Sequence, residues 1–210
     1  MINNKKELDF YIMADRIMNN RPFKDSFKER ILDILSKNPR IILYLRYMRL
    51  LYYYENKPGL FYKFLSLFYK RLYKSLEQEL GIHLDESVFG YGVMVPHNCS
   101  IRIGRNNQIG KFAVIQSQTF MTGSNCIIGD SFYLSVGSKV IGPLKIGDNV
   151  SVAACSLVRK SCGNNVLLAG VPACIKKENY PSWHERDGDV YKNRIRQVET
   201  LKNRLGLYYL

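Results

Sequence analysis

The run IRIGRNNQIGKFAVIQSQTFMTGSNCIIGDSFYLSVGSKVIGPLKIGDNVSVAACSLVRK, residues 101 to 160, decides the fold. Within it ten apolar residues keep a six-residue beat: Ile103, Ile109, Ile115 and Met121, then, after one extra residue, Ile128, Leu134, Val140, Ile146, Val152 and Val158. Helices repeat at 3.6 residues and strands at 2, so a sustained period of 6 requires short strands joined by tight turns, one hexad to each side of a coil. Ten hits at preset positions in a chain that is 46% hydrophobic lie far outside chance, and the pattern predicts a parallel β-helix. Gly104, Gly110, Gly129 and Gly147 each follow a ladder residue and are expected to supply positive φ at the corners. Asn106, Asn107, Asp130, Asp148 and Asn149 tolerate that conformation next best. Cys126, two residues before Ile128, is expected to be a buried thiol.

Outside this run the period changes. Leu8 to Met18, Phe23 to Leu35, Ile41 to Tyr54 and Leu60 to Leu80 read as helices, with Pro22, Pro39 and Pro58-Gly59 at the breaks. After the β-helix, Val190 to Leu205 carries a last amphipathic pattern, expected either to cap the open end of the solenoid or to join an oligomer interface. The chain therefore divides into a helical region (1–80), a mainly β solenoid (81–177) with a transition zone near 82–102, and a helical tail (178–210).

The net charge is +13. Between residues 37 and 74 nine basic side chains, Arg49 among them, face only Glu55. A negatively charged partner is implied. Lys and Tyr mixed along amphipathic helices suit an anionic membrane surface, but packing on the β-helix or on a neighbouring subunit is the favoured reading. Nucleic acid is disfavoured because no reader motif accompanies the charge. Residues 1–10 lack the apolar core of a signal peptide, and Arg46 and Arg49 interrupt the longest apolar run, so a cytoplasmic protein is expected, with peripheral contact at the inner face of the cell membrane as the variant. Five cysteines without a CxxC spacing argue against structural zinc and against a disulfide framework, and no metal is expected.

Three further stretches carry a resemblance: Gly90-Tyr-Gly-Val-Met-Val-Pro-His97, the Gly-Ser-Lys-Val-Ile-Gly-Pro centre at 137–143, and Ala169-Gly-Val-Pro-Ala173. Their order and spacing resemble the hexapeptide-repeat acyltransferases, in the serine acetyltransferase-like branch that includes polysaccharide O-acetyltransferases. The resemblance implies a left-handed parallel β-helix, a homotrimer, and acetyl-CoA bound in grooves between subunits. It makes His97 the catalytic base, with a carboxylate from the preceding coil to orient it. The matching position falls near His83, at a spacing that differs by one, with Asp85 and Glu86 beside it; ordinary surface turn acids are the plainer reading of that pair. For acetyl-CoA it implies Val136, Gly137 and Ala154 along the pantetheine arm, and Arg159, Lys160, Lys176 and Lys177 near the phosphates. Cys174 stands where related enzymes often carry a basic residue.

The residues support this chemistry only in part. Acetyl transfer to a hydroxyl needs a base with a pKa near operating pH, and His83, His97 and His184 are the three imidazoles. His97 lies six residues before Ile103, so an unbroken ladder would bury it as a core histidine; the flanking Pro96 and Asn98 argue for a turn instead. No cysteine has a histidine in a convincing local arrangement, which favours direct transfer over an acyl-enzyme. Pro96 also replaces the aspartate that serine acetyltransferases carry before the base, and the short segment Ser124, Asn125 and Cys126 replaces a long loop with a second histidine. A more open groove without those polar anchors points to a sugar hydroxyl of a surface polysaccharide or its precursor. Serine O-acetylation or amino-sugar N-acetylation is the alternative, and a non-catalytic trimeric scaffold the third reading.

Overall fold

A computed structural model describes residues 2–21, 31, 40–97 and 99–210. Helix α1 spans Lys5–Met18, α2 Arg40–Glu55 and α3 Leu60–Leu80. The helix expected over residues 23–35 falls, apart from Ile31, outside the described residues. Strands β1 (Ile82–Leu84), β2 (Ile101–Ile103), β5 (Phe120–Thr122), β8 (Lys139–Ile141) and β11 (Leu157–Val158) form one face of the solenoid. The second face is β3 (Gln108–Ile109), β6 (Ile127–Ile128) and β9 (Lys145–Ile146). The third runs through β4 (Val114–Ile115), β7 (Tyr133–Leu134), β10 (Ser151–Val152) and β12 (Leu167–Gly170), and β13 (Ala173–Lys177) closes it antiparallel.

The sequence ladder is the core of this solenoid. Ile103, Met121, Val140 and Val158 stack in register on the first face, Ile109, Ile128 and Ile146 on the second, and Ile115, Leu134, Val152 and Leu168 on the third. None of the ten ladder residues is more than 3% exposed, and the Cys126 thiol is fully buried. The zone expected to be transitional is a further coil: β1 pairs with β2, Phe89 bridges to Ile109 and Met94 to Val114.

The glycines work differently from expectation. Gly104, Gly110, Gly129 and Gly147 do not have positive φ; the left-handed corners fall on Asn106, Phe112, Gln118, Asn125, Ser131, Asn149, Cys155 and Asn165. Gly90, Gly110, Gly129 and Gly147 are required because successive coils touch there. A Cβ on Gly110 would lie 2.7 Å from the Gly129 carbonyl carbon, and one on Gly129 2.8 Å from that of Gly147. Beside this column Asp130 and Asp148 accept the backbone N–H of Lys111 (3.0 Å) and Asp130 (2.7 Å) from the coil before, stitching coil to coil.

The helices close the upstream end. Arg49 on α2, counted in the sequence as part of a basic surplus, is 1% exposed: its Nε donates to Asp15 Oδ2 on α1 (2.8 Å), and its guanidinium donates to the carbonyls of Phe89 (2.8 Å) and Gly90 (2.6 Å). Burial pushes the Asp15 carboxyl above the usual carboxylate range, against the opposing pull of Arg49. In the tail, α4 (Trp183–Arg186) docks Trp183, whose Nε1 donates to the Phe112 carbonyl (3.1 Å). Helix α5 (Asp189–Arg204) packs on α1, and Arg194 donates to the Met18 carbonyl (3.0 Å). The tail helix thus flanks the upstream coil and leaves the downstream end to the β12–β13 hairpin.

Candidate active site

His97 occupies the corner where the third face turns into the first face of the next coil. From Ile115 to Met121, Leu134 to Val140 and Val152 to Val158 that corner takes six residues; from Val95 to Ile103 it takes eight. The two extra residues lift His97 out of the ladder, and its side chain is exposed where an unbroken repeat would have buried it. Among the described residues no hydrogen bond or ion pair engages the imidazole, and the residue is exposed.

The corners below form a column with His97 at its head. Gln118 N donates to Cys99 O (2.8 Å), Gly137 N to Ser117 O (3.1 Å) and Cys155 N to Val136 O (2.9 Å). Gln118, Gly137 and Cys155 have positive φ, and Thr119 Oγ1 and Ser138 Oγ fold back onto the carbonyls of Gln116 and Ser135. Val136, Gly137 and Ala154, expected along the pantetheine arm, all lie on this column. Ser117, Gly137 and Ala154 contribute small side chains to it, which suits a thin ligand chain. Four strand spacings, about 19 Å, separate the His97 corner from the last one at Gly170–Pro172.

At that far end a cavity of about 630 Å³ is lined by Arg159, Lys160, Pro172, Ala173, Cys174 and Ile175, with Leu168 and Cys162 beneath. Among the described residues no carboxylate lines it, so the charge of that lining is cationic. Lys176 and Lys177 follow on β13, and the Lys177 ammonium lies 5.8 Å from the Tyr180 ring. Arg159 and Lys160 are therefore brought to the cavity, with Lys176 and Lys177 on the strand that borders it.

The acidic residues expected beside His97 are not brought to it within the chain. Asp85 and Glu86 lie at the opposite corner, between the first and second faces. Asp85 accepts from Arg105 Nε (2.9 Å), Ser87 Oγ (2.6 Å) and Ser87 N (3.1 Å), and Glu86 lies 3.8 Å from Arg105. Burial alone would raise the Asp85 carboxyl, but these hydrogen bonds outweigh it and hold it below the usual range. Burial raises Glu86 instead. Sequence reasoning missed Glu77 on α3, whose Oε1 lies 2.6 Å from His83 Nδ1 on β1. This pair lines a cavity of about 330 Å³ with Ser100, Arg102 and Phe120 on the downstream side of the His97 corner. On the upstream side Pro96 borders a second cavity, about 260 Å³, with Asn19, Arg21, Tyr191 and Arg194. Among the described residues no group of three or more His, Cys, Asp or Glu converges as a metal site would require.

No family model matches the chain. Among curated proteins it is similar to the serine acetyltransferase of Buchnera aphidicola subsp. Acyrthosiphon pisum, 28% identical over 193 residues that cover 83% of this chain and 69% of that protein. It is also similar to the serine acetyltransferase of Mycobacterium tuberculosis, 27% identical over 103 residues (46% and 45%). That of Staphylococcus epidermidis is 29% identical over 112 residues (51% and 52%). The chain thus spans about half the length of the Mycobacterium and Staphylococcus relatives it matches. Among solved structures, Neisseria gonorrhoeae serine acetyltransferase superposes with a TM-score of 0.56 at 18% identity, covering 85% of this chain and 71% of that one. A serine acetyltransferase in complex with CoA superposes at 0.52 and 18%, covering 82% and 85%. These likenesses establish the parallel β-helix with its N-terminal helices.

Proposed function

We propose that this chain is an acetyl-CoA-dependent O-acetyltransferase in which His97 is the general base. The observation that carries the reading is the enlarged corner: it presents an unengaged imidazole at the head of a column of small-residue corners that ends at a cationic cavity. The cavity would hold the phosphates of CoA through Arg159 and Lys160, supported by Lys176 and Lys177, and the pantetheine arm would run along Ala154, Gly137 and Val136 towards His97. The acceptor oxygen gives its proton to the imidazole as it attacks the thioester carbonyl. Collapse of the tetrahedral adduct expels the CoA thiolate, which takes that proton back. No cysteine is hydrogen-bonded to an imidazole among the described residues, consistent with direct transfer. A homotrimer, with a neighbouring copy completing the groove, is part of the proposal; Val136 and Ile141 beside the column are exposed apolar side chains in the single chain.

Two acceptors follow from different observations. The names of the relatives favour serine, and serine is the first acceptor to test. The local residues favour a sugar hydroxyl of a surface polysaccharide or its precursor: Pro96 carries no charge, and the cavity beside it offers Arg21 and Arg194 but no carboxylate among its described lining, so an acceptor's ammonium group would lack a counter-charge. Purified full chain given acetyl-CoA with serine, or with neutral and acidic sugars, is followed by thiol release. His97→Ala should reduce turnover roughly 10²- to 10⁴-fold without lowering the melting temperature, as loss of a general base does. Undiminished turnover in that variant would remove the mechanism.

A further inference from the structure

Helix α3 carries two apolar faces, and the chain uses only one. Tyr62, Tyr69, Tyr73 and Leu76 turn inward, where Tyr69 stacks on Tyr54 (5.5 Å) and Tyr73 on Tyr44 (4.8 Å). The adjoining, outward arc of its first half is also apolar. Leu60 is 86% exposed, Phe61 69%, Phe64 68%, Leu67 61% and Phe68 51%. These five stand at the i, i+1, i+4, i+7, i+8 spacing of a single helix face.

Basic residues frame this arc. Lys63, Lys70 and Lys74 fall at intervals of seven and four along one flank, and Arg71 lies one turn beyond Leu67 and Phe68 within the arc itself. Lys70 and Lys74 approach Glu55 (3.3 Å) and Glu77 (2.7 Å), whereas Lys63 and Arg71 have no carboxylate partner among the described residues. We propose that the outer face of α3, centred on Phe61, Phe64 and Phe68, docks the protein on an anionic phospholipid surface. The aromatic rings would sit at the boundary of headgroups and acyl chains, and the basic flank would meet the lipid phosphates. Charge complementarity selects this occupant over a second copy. A two-fold contact through the same face with the helices antiparallel would bring the lysine flanks of two copies together, in a chain whose net charge is already +13. No helix among the described residues is long and apolar enough to cross a membrane, so the contact is one of lying on the surface.

The test is cosedimentation of the full chain with vesicles of phosphatidylcholine alone or mixed with phosphatidylglycerol, alongside sedimentation velocity without lipid. The parent should pellet with the phosphatidylglycerol vesicles and not with phosphatidylcholine alone, and release as sodium chloride is raised. A triple variant, Phe61→Ser/Phe64→Ser/Phe68→Ser, and a charge variant, Lys63→Glu/Arg71→Glu, should each weaken vesicle partitioning at least about tenfold with the oligomeric mass unchanged. A circular dichroism melt identifies a variant that misfolds, and the charge variant alone then decides. The proposal is overturned if the parent does not pellet with phosphatidylglycerol vesicles or if folded variants partition like the parent. It is also overturned if the substitutions alter the oligomeric mass, which would assign the face to contact between copies.

Discussion

The coil from Ile82 to Ser100 and the coils from Ile101 to Val158 share one buried ladder but are held by different means. In the later coils each corner is templated by the next: glycines stack on glycines, and Asp130 and Asp148 accept the backbone N–H of the coil before. The first coil has no coil above it, and side chains from the helices take that place. Asn19 pairs with Val93 O (2.8 Å) and Val95 N (3.0 Å), Asp15 accepts from Val93 N (3.0 Å), Tyr44 accepts from Leu84 N (2.9 Å), and Arg49 covers Phe89 O and Gly90 O. A solenoid end must be capped. Here the cap also frees the first coil from the six-residue repeat, and the eight-residue corner that presents His97 exists only in that coil.

The sharpest way to break this comparison is Arg49→Ala. It leaves Asp15 buried without its counter-charge and two carbonyls without donors, at a cost of about 3–5 kcal/mol. The loss should concentrate in the first coil. Hydrogen exchange at the Val93 and Val95 amides should accelerate far more than at Ile128 or Val140, and thiol release should fall with it. A urea midpoint within error of the parent would mean that the pair does not hold the cap.

In the regular coils a single methyl group is the corresponding test. Gly129→Ala places a Cβ 2.8 Å from both Gly147 C and Asp148 N, and forcing the coils apart should cost about 1–3 kcal/mol. Gly104 occupies the same place in the repeat with nothing within 4 Å and without positive φ, so Gly104→Ala should be neutral or slightly stabilising. Equal melting temperatures for the two variants would reject close stacking as the reason for the glycine column.

The same contrast explains what was legible in the sequence. The ladder and α3 could be read directly, because each depends on a local period that every residue in the element repeats. The reason for the glycines was misread, since a period shows where a glycine stands and not what stands over it; the left-handed corners fall on residues as unlike as Phe112, Gln118 and Cys155. His97 was legible only through its motif. What supports the first coil was not legible, because Asp15, Arg49 and Val93 meet across long stretches of chain. Arg49 looks like the other basic residues of its stretch until the carbonyls it covers are known. Glu77 and His83 are six residues apart across a helix–strand junction, a spacing no periodic pattern singles out.

The smallest effect concerns the seam between the two kinds of coil. Asp85 in the first coil and Arg105 in the next are joined at 2.9 Å on a different corner from His97, which makes the pair a fastener and separates it from the proposed acetyl-transfer site. Hydrogen bonds from Ser87 and Arg105 hold the Asp85 carboxyl below its ordinary value despite burial. A depressed folded-state pKa adds stability that is fully present above the unfolded value, about 3.9, and is lost as pH falls through the folded one. Arg105 is largely exposed, so Arg105→Ala should cost only about 0.5–1 kcal/mol at pH 7. The variant's acid-side loss of stability should be correspondingly shallower, and the gap to the parent should close once pH is low enough to protonate Asp85 in both. Urea midpoints at pH 7 and in the acid limb measure this directly, and a gap that persists unchanged at low pH would assign the loss to Arg105 packing and not to the charge of Asp85. Because the seam lies on a different corner from His97, thiol release at pH 7 should be unaltered in the same variant. A marked fall there would mean that the regular coils and the site-bearing coil are coupled through this corner.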